Sequence, residues 1–183
     1  PKIAWMKKYK PEELTLDGSV LSRMEAGNEV GDLAMGLFGE FKEAHAEKAD
    51  GSLNLTKMVE QTRQWMDEGV ENICEASFIC EGGYCAVDIL RKTAGGWAIY
   101  EVKSTTSHVV DVATMSKELV DKVEKYAKDI AFQKWVLVQC GVNVTGTYLV
   151  TLNSDYVRQG DLDVQQLFNV IDMKELVENE YMK

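Results

Sequence analysis

Apolar residues recur at helical spacing through residues 19–41, at Val20, Met24, Val30, Leu33, Leu37 and Phe41, and predict one amphipathic helix despite the glycines among them. A second helix is predicted over residues 56–68, where Asn54, Leu55 and Thr56 offer caps and Gly69 a stop. The period then changes. Residues 72–80, 84–91 and 97–102 are rich in Ile, Val, Tyr and Phe and are separated by Glu81-Gly82-Gly83 and Ala94-Gly95-Gly96. Such glycine pairs suit tight hairpins, so the three segments predict an antiparallel meander. Helical spacing returns over residues 116–140 through Leu119, Val123, Ile130, Leu137 and Val138, until Gly141 ends it. Residues 144–152 read as a strand, 167–171 as a short one, and a last helix begins at Met173. Helix, three strands, long helix and strand in that order predict an α/β sandwich around a mixed sheet. Without a repeat, a low-complexity tract or a linker, residues 1–183 read as one domain.

Within this pattern three ionisable residues converge. Asp88 lies on the second strand of the meander and Glu101-Val102-Lys103 ends the third, 101 − 88 = 13 positions later, across the hairpin near Gly95. Antiparallel neighbours bring such residues side by side, and Glu101 and Lys103, two apart on a strand, share a face. Ala86, Val87, Ile89 and Leu90 flank Asp88, and Ile99 and Tyr100 precede Glu101. A charge among such residues needs a partner or a metal. Two carboxylates and a backbone carbonyl, that of Val102, make a hard oxygen site suited to Mg²⁺ or Mn²⁺. Such a cation with a nearby lysine suits phosphodiester hydrolysis. A cross-strand salt bridge between Asp88 or Glu101 and Lys103 accounts for the same spacing.

Composition narrows the classes. Hydrophobic residues make up 45% of 183, with only two prolines, which fits a compact globule with a sizeable core. No run approaches a membrane span and the first ten residues lack a secretory pattern, so the expected location is cytoplasmic, with no membrane partner. Cys74, Cys80, Cys85 and Cys140 show no paired spacing and read as reduced thiols. A net charge of −10 speaks against a protein that coats nucleic acid, so any phosphate-binding surface has to be local. Its candidates are Lys2, Lys7, Lys8 and Lys10 at the start and Lys117, Lys122, Lys125 and Lys128 further on; a solvated face explains them equally. His45 and His108 stand in no metal-ligand spacing and read as polar loop residues.

The series Ala86-Val87-Asp88-Ile89-Leu90, then Ile99-Tyr100-Glu101-Val102-Lys103-Ser104-Thr105-Thr106, then Tyr126 and Asp129-Ile130-Ala131-Phe132-Gln133 resembles the RecB-like branch of the PD-(D/E)xK nucleases. That branch includes the CRISPR-associated RecB-like exonucleases and an uncharacterised bacterial family of putative RecB-like nucleases, the nearest match. The resemblance implies a restriction-endonuclease-like fold. It also implies Asp88, Glu101 and the Val102 carbonyl as metal ligands, Lys103 as the catalytic lysine, and Gln133 as the glutamine of the last motif. Tyr126 falls on one helical stripe with Lys122, Asp129 and Gln133, at i+4, i+7 and i+11 from Lys122, a stripe that could equally be solvated. Gly27-Asn28-Glu29-Val30-Gly31 resembles the segment where many relatives place a metal-binding histidine, and here that place is Gly31; Glu29 or Asp32 is left as a substitute. Glu75, where relatives often have a glutamate, together with Ser104 and Lys122, forms a second tier.

Pro1-Lys2-Ile3-Ala4-Trp5 resembles the opening of relatives that carry an iron–sulfur cluster, whose cysteines would lie outside residues 1–183. The expectation is therefore a nuclease portion of a longer protein, with no cluster held by these residues. The implied activity is metal-dependent, exonuclease-like hydrolysis of DNA at ends or single strands. The competing class is an inactive nucleic-acid-binding or assembly module of the same fold.

Overall fold

A computed structural model describes residues 9–10, 18–108 and 111–182. The opening motif and Lys2, Lys7 and Lys8 lie outside them. The chain folds as an α/β structure around one six-stranded mixed sheet, in the spatial order β1 to β6. The strands are β1 (Lys42–Glu43), β2 (Asn72–Cys80), β3 (Gly83–Thr93), β4 (Gly96–Ser107), β5 (Val144–Asn153) and β6 (Phe168–Asp172). β1 pairs with β2 and β4 with β5 in parallel, and the other neighbours are antiparallel, so the meander β2–β3–β4 forms the centre.

Helices cover both faces, as the alternation of apolar residues requires. On one face α2 (Leu55–Glu68), α3 (Lys117–Gln139) and α5 (Lys174–Tyr181) pack over Ile73, Val87, Leu90, Ile99, Leu149 and Ile171. On the other, α1 (Gly18–Met35) and the short α4 (Val164–Leu167) pack over Cys74, Ile89, Tyr100 and Val150. None of these helices is long and apolar enough to cross a membrane.

Local signals explain most boundaries. The Asn54 side chain accepts from Lys57 N at 3.2 Å and caps α2, and Gly69, at φ 79°, closes it in the left-handed conformation that glycine tolerates. The Ser116 hydroxyl caps α3 by accepting from Leu119 N. The first helix departs from expectation. It ends at Met35 and passes into a 3₁₀ turn, Gly36–Phe38, because the face that packs is that of Ala34 and Leu37, while Met24, Leu33 and Phe41 are exposed. Val138, expected on the packed side of α3, is also exposed.

One irregularity crosses the centre of the sheet. In β2, Ile73, Ala76 and Phe78 join the α3-side core while Cys74 joins the other; in β3, Cys85, Val87 and Leu90 join the first and Ile89 the second. Strict alternation is therefore interrupted at Glu75 in β2 and at Asp88 in β3. The strand pairs Cys74↔Ile89 and Ala76↔Val87 place those two residues opposite each other. Glu75 adopts φ 53°, a left-handed conformation that costs a non-glycine residue about 1–2 kcal/mol. Ser77 holds the irregularity in place. Its hydroxyl donates to Glu75 O at 3.0 Å, and its N–H goes to Thr62 Oγ1 of α2 at 2.9 Å.

Candidate active site

On β4, Glu101 and Lys103 continue the face of Trp97 and Ile99, the face that α3 covers. Asp88 meets them where the β3–β4 ladder ends. Its pairs run from Thr93↔Gly96 to Ile89↔Tyr100, and beyond them Val102 N donates to Asp88 Oδ2 at 2.6 Å. A backbone donor suited to the ladder is thus spent on a carboxylate, which fixes Asp88 against the residue between Glu101 and Lys103.

Glu101, 6% exposed, is held at both oxygens. Oε1 lies 2.6 Å from Lys103 Nζ, and Oε2 accepts from Gln133 Nε2 at 2.6 Å. The salt bridge expected as the plain alternative is thus present, but within one strand rather than across two. Lys103 also lies 3.8 Å from Asp129 Oδ2 and 5.4 Å from the centroid of the Tyr126 ring. α3 therefore aims Tyr126, Asp129 and Gln133 at the end of β4, the stripe drawn from helical spacing.

Charge in this pocket is unbalanced. Burial, then the charges of Glu101 and Glu75, push the Asp88 carboxyl up to about 7, against the pull of the Val102 N–H and Lys103. Glu75 is raised above the usual carboxylate range by burial and then by Glu43, Glu101 and Asp32. Burial alone would lower Lys103, yet Glu101, Asp88 and Asp129 hold its ammonium above the ordinary value. Among the described residues, the Lys103 ammonium thus meets Glu101, Asp88 and the exposed Asp129, while half-buried Glu75 adds further negative charge to Asp88 and Glu101. Among the described residues no group of three His, Cys, Asp or Glu side chains stands ready as a metal cage.

The other candidates are scattered. Glu75 joins the carboxylate cluster from mid-β2. Glu29 is exposed on α1, and Asp32 is the α1 carboxylate whose charge reaches Glu75. A Cβ at Gly31 would meet open space. Ser104 is exposed just past Lys103, and Lys122 Nζ donates to Thr105 Oγ1 at 2.6 Å. His45 pairs with Glu47 at 3.3 Å. All four cysteines are free, with the Cys74 and Cys85 thiols pushed up to about 12, chiefly by burial. Sequence reasoning missed Thr151, which the parallel register sets beside Lys103 and whose buried hydroxyl has no hydrogen-bond partner among the described residues. No local signal could have found it, because the register joins segments separated by all of α3.

Compared with known protein families, with curated proteins and with solved structures, the chain matches none.

Gln133 carries a prediction of its own. It is 7% exposed, and its Oε1 is buried without a partner among the described residues. Gln133→Ala deletes a hydrogen bond to a buried carboxylate and should cost about 1–3 kcal/mol, or ~3–10 °C in melting temperature. Gln133→Glu should cost more at pH 8, because it sets a second negative charge on Glu101, and the excess should shrink toward pH 5 as the new acid is protonated. Equal melting temperatures for the two variants at both pH values would remove Gln133 from the electrostatics of the site.

Proposed function

We propose that this chain is a metal-dependent nuclease that hydrolyses phosphodiester bonds of DNA at ends or in single strands, with the restriction-endonuclease-like fold and PD-(D/E)xK chemistry its motifs resemble. The observation that carries the reading is the meeting of Asp88, Glu101 and Lys103 where the central ladder ends, under a helix that adds Gln133 and Tyr126. A structural salt bridge would need Glu101 and Lys103 alone. It leaves unexplained a second buried carboxylate fixed by the backbone of the same motif.

The donor set fits a hard divalent cation: Asp88 and Glu101 offer oxygen ligands, the Val102 carbonyl lies between Glu101 and Lys103, and negative charge exceeds positive. Mg²⁺ or Mn²⁺ there would supply Lewis acidity toward the phosphoryl group. Lys103 works as a fixed cation, steadied by Glu101, Asp129 and the Tyr126 ring, that offers hydrogen bonds to the attacked phosphate or the attacking water. Gln133 holds Glu101 in position, and its uncharged amide does so without repelling phosphate. Four free thiols suit a cytoplasmic enzyme.

A second reading, a binding or assembly module of the same fold without turnover, draws on one observation: both Glu101 oxygens are already engaged. An assay on single- and double-stranded DNA with Mn²⁺, Mg²⁺ or EDTA separates the two. Cleavage with either metal and none in EDTA is the expected result. DNA binding without cleavage in any metal would favour the second reading, and equal cleavage in EDTA would sink the first.

A further inference from the structure

The β4–β5 register reaches Lys103↔Thr151 and resumes at Thr106↔Leu152. Three steps on β4 thus match one on β5, which leaves Ser104 and Thr105 as extra residues directly past Lys103. Bulges of this kind re-aim side chains beside sites. This one offers the Thr105 hydroxyl to Lys122, whose Nζ is 2.6 Å away. Four contacts then settle the face of α3 that meets β4: Gln133 to Glu101, Asp129 and Tyr126 to Lys103, and Lys122 to Thr105.

We propose that Lys122, Thr105 and Ser104 form a second backbone subsite, which binds a phosphate of the substrate strand away from the scissile bond. The proposal rests on the nuclease reading and gives the site a footprint. The subsite lies close to the chemistry: Ser104 follows Lys103 directly, and Lys122 Nζ sits 2.6 Å from the hydroxyl of Thr105, two residues past Lys103 and so about 7 Å along β4. A stacked strand advances ~3.4 Å per phosphate, so about two phosphate steps bridge the two points. The chemistry of the subsite suits phosphate. Lys122 spends one of three donors on Thr105 and keeps two, and the Thr105 hydroxyl, accepting from Lys122, keeps its own proton to donate. Ser104 adds an exposed hydroxyl. Contacts of this type fix register along the strand and read no sequence. Lys128, by contrast, lines a groove against α5 with Phe132, Trp135 and Tyr181, on another side of the helix.

The test compares a single strand several times longer than the footprint with bis(p-nitrophenyl) phosphate, a diester that carries no second phosphate to occupy the subsite. In Lys122→Ala, kcat/KM on the strand should fall about tenfold further than on the small diester, through KM, and the salt slope should drop by about one. Lys122→Arg should restore most of it, and Lys128→Ala should keep the native slope. Equal losses on both substrates, or no loss on the strand, would overturn the subsite while leaving the nuclease reading intact. If the native chain cleaves neither substrate, the nuclease reading fails. Strand binding in Ca²⁺ then decides the subsite: Lys122→Ala should weaken it and lower its salt slope, and unchanged affinity would overturn it.

Discussion

On the proposed nuclease activity, the Lys103→Ala protein is expected to cleave DNA at least about a hundredfold more slowly than the native chain at saturating Mn²⁺, the scale of a lost electrostatic or acid–base contribution. The reason is geometric. The ammonium lies 2.6 Å from Glu101, 3.8 Å from Asp129 and over the Tyr126 ring, and these neighbours keep it charged. A lysine held in that state is poorly suited to take a proton and well suited to meet negative charge as it develops. The loss should therefore fall on kcat more than on KM. The substitution also leaves Gln133 as the remaining partner of a buried Glu101, so a cost of about 1–3 kcal/mol in stability is expected, offset when a cation is bound. Circular dichroism and melting curves separate that cost from the loss of rate. A folded variant that cleaves at the native rate would eliminate Lys103 from the chemistry.

Asp88→Asn should act in opposite directions on stability and on cation binding. The folded carboxyl titrates near 7, against 3.8 for the ordinary group, so its folded pKa is raised. The stability it contributes is then fully present below about pH 4 and is lost as pH rises through 7. At pH 8 without divalent ions the native chain carries that penalty. Asparagine removes the charge and still offers an oxygen to the Val102 N–H, so Asp88→Asn should be more stable there by on the order of 1–3 kcal/mol, an advantage that vanishes near pH 4. Titration of Mn²⁺ by calorimetry should show a site in the native chain and none in Asp88→Asn or Asp88→Ala. A variant that is less stable at pH 8, or that binds Mn²⁺ as well as the native chain, would contradict the placement of Asp88.

The parts of the fold that were legible are those written in local periods. Glycine pairs marked both hairpins of the meander, and Asn54 and Gly69 marked the ends of α2. Of the α3 positions read from spacing, Val123, Ile130 and Leu137 are buried, whereas Val138 is exposed and the buried Val136 was missed. What was not legible either lacks a period or depends on partners distant in sequence. β1 has two residues and α4 four, too few to repeat. The first helix buries Ala34, a residue too small to weigh in an apolar pattern, and leaves Met24 and Leu33 in solvent. The meeting of Asp88, Glu101 and Lys103 could be read because a single hairpin brings them together, and Gln133 because the resembled motif names it and helical spacing sets it on one stripe with Tyr126. The burial of Thr151 beside Lys103, the grip of Lys122 on Thr105 and the backbone of Glu75 each need a register between segments that no local pattern encodes.

That backbone has a consequence for how a charged site fits inside a core. When one strand slips by a residue relative to its neighbour, every side chain beyond the slip changes sides and the apolar set is turned out to water. Here β2 and β3 change phase together, at Glu75 and Asp88, so their pairing survives and Val87 and Leu90 both stay in the layer beneath α3. The residue between the two phases belongs to neither layer. The sheet thus acquires a seam one residue wide, in which carboxylates sit without displacing an apolar neighbour, and the strain of making it falls on Glu75 alone among the strand residues beside the site.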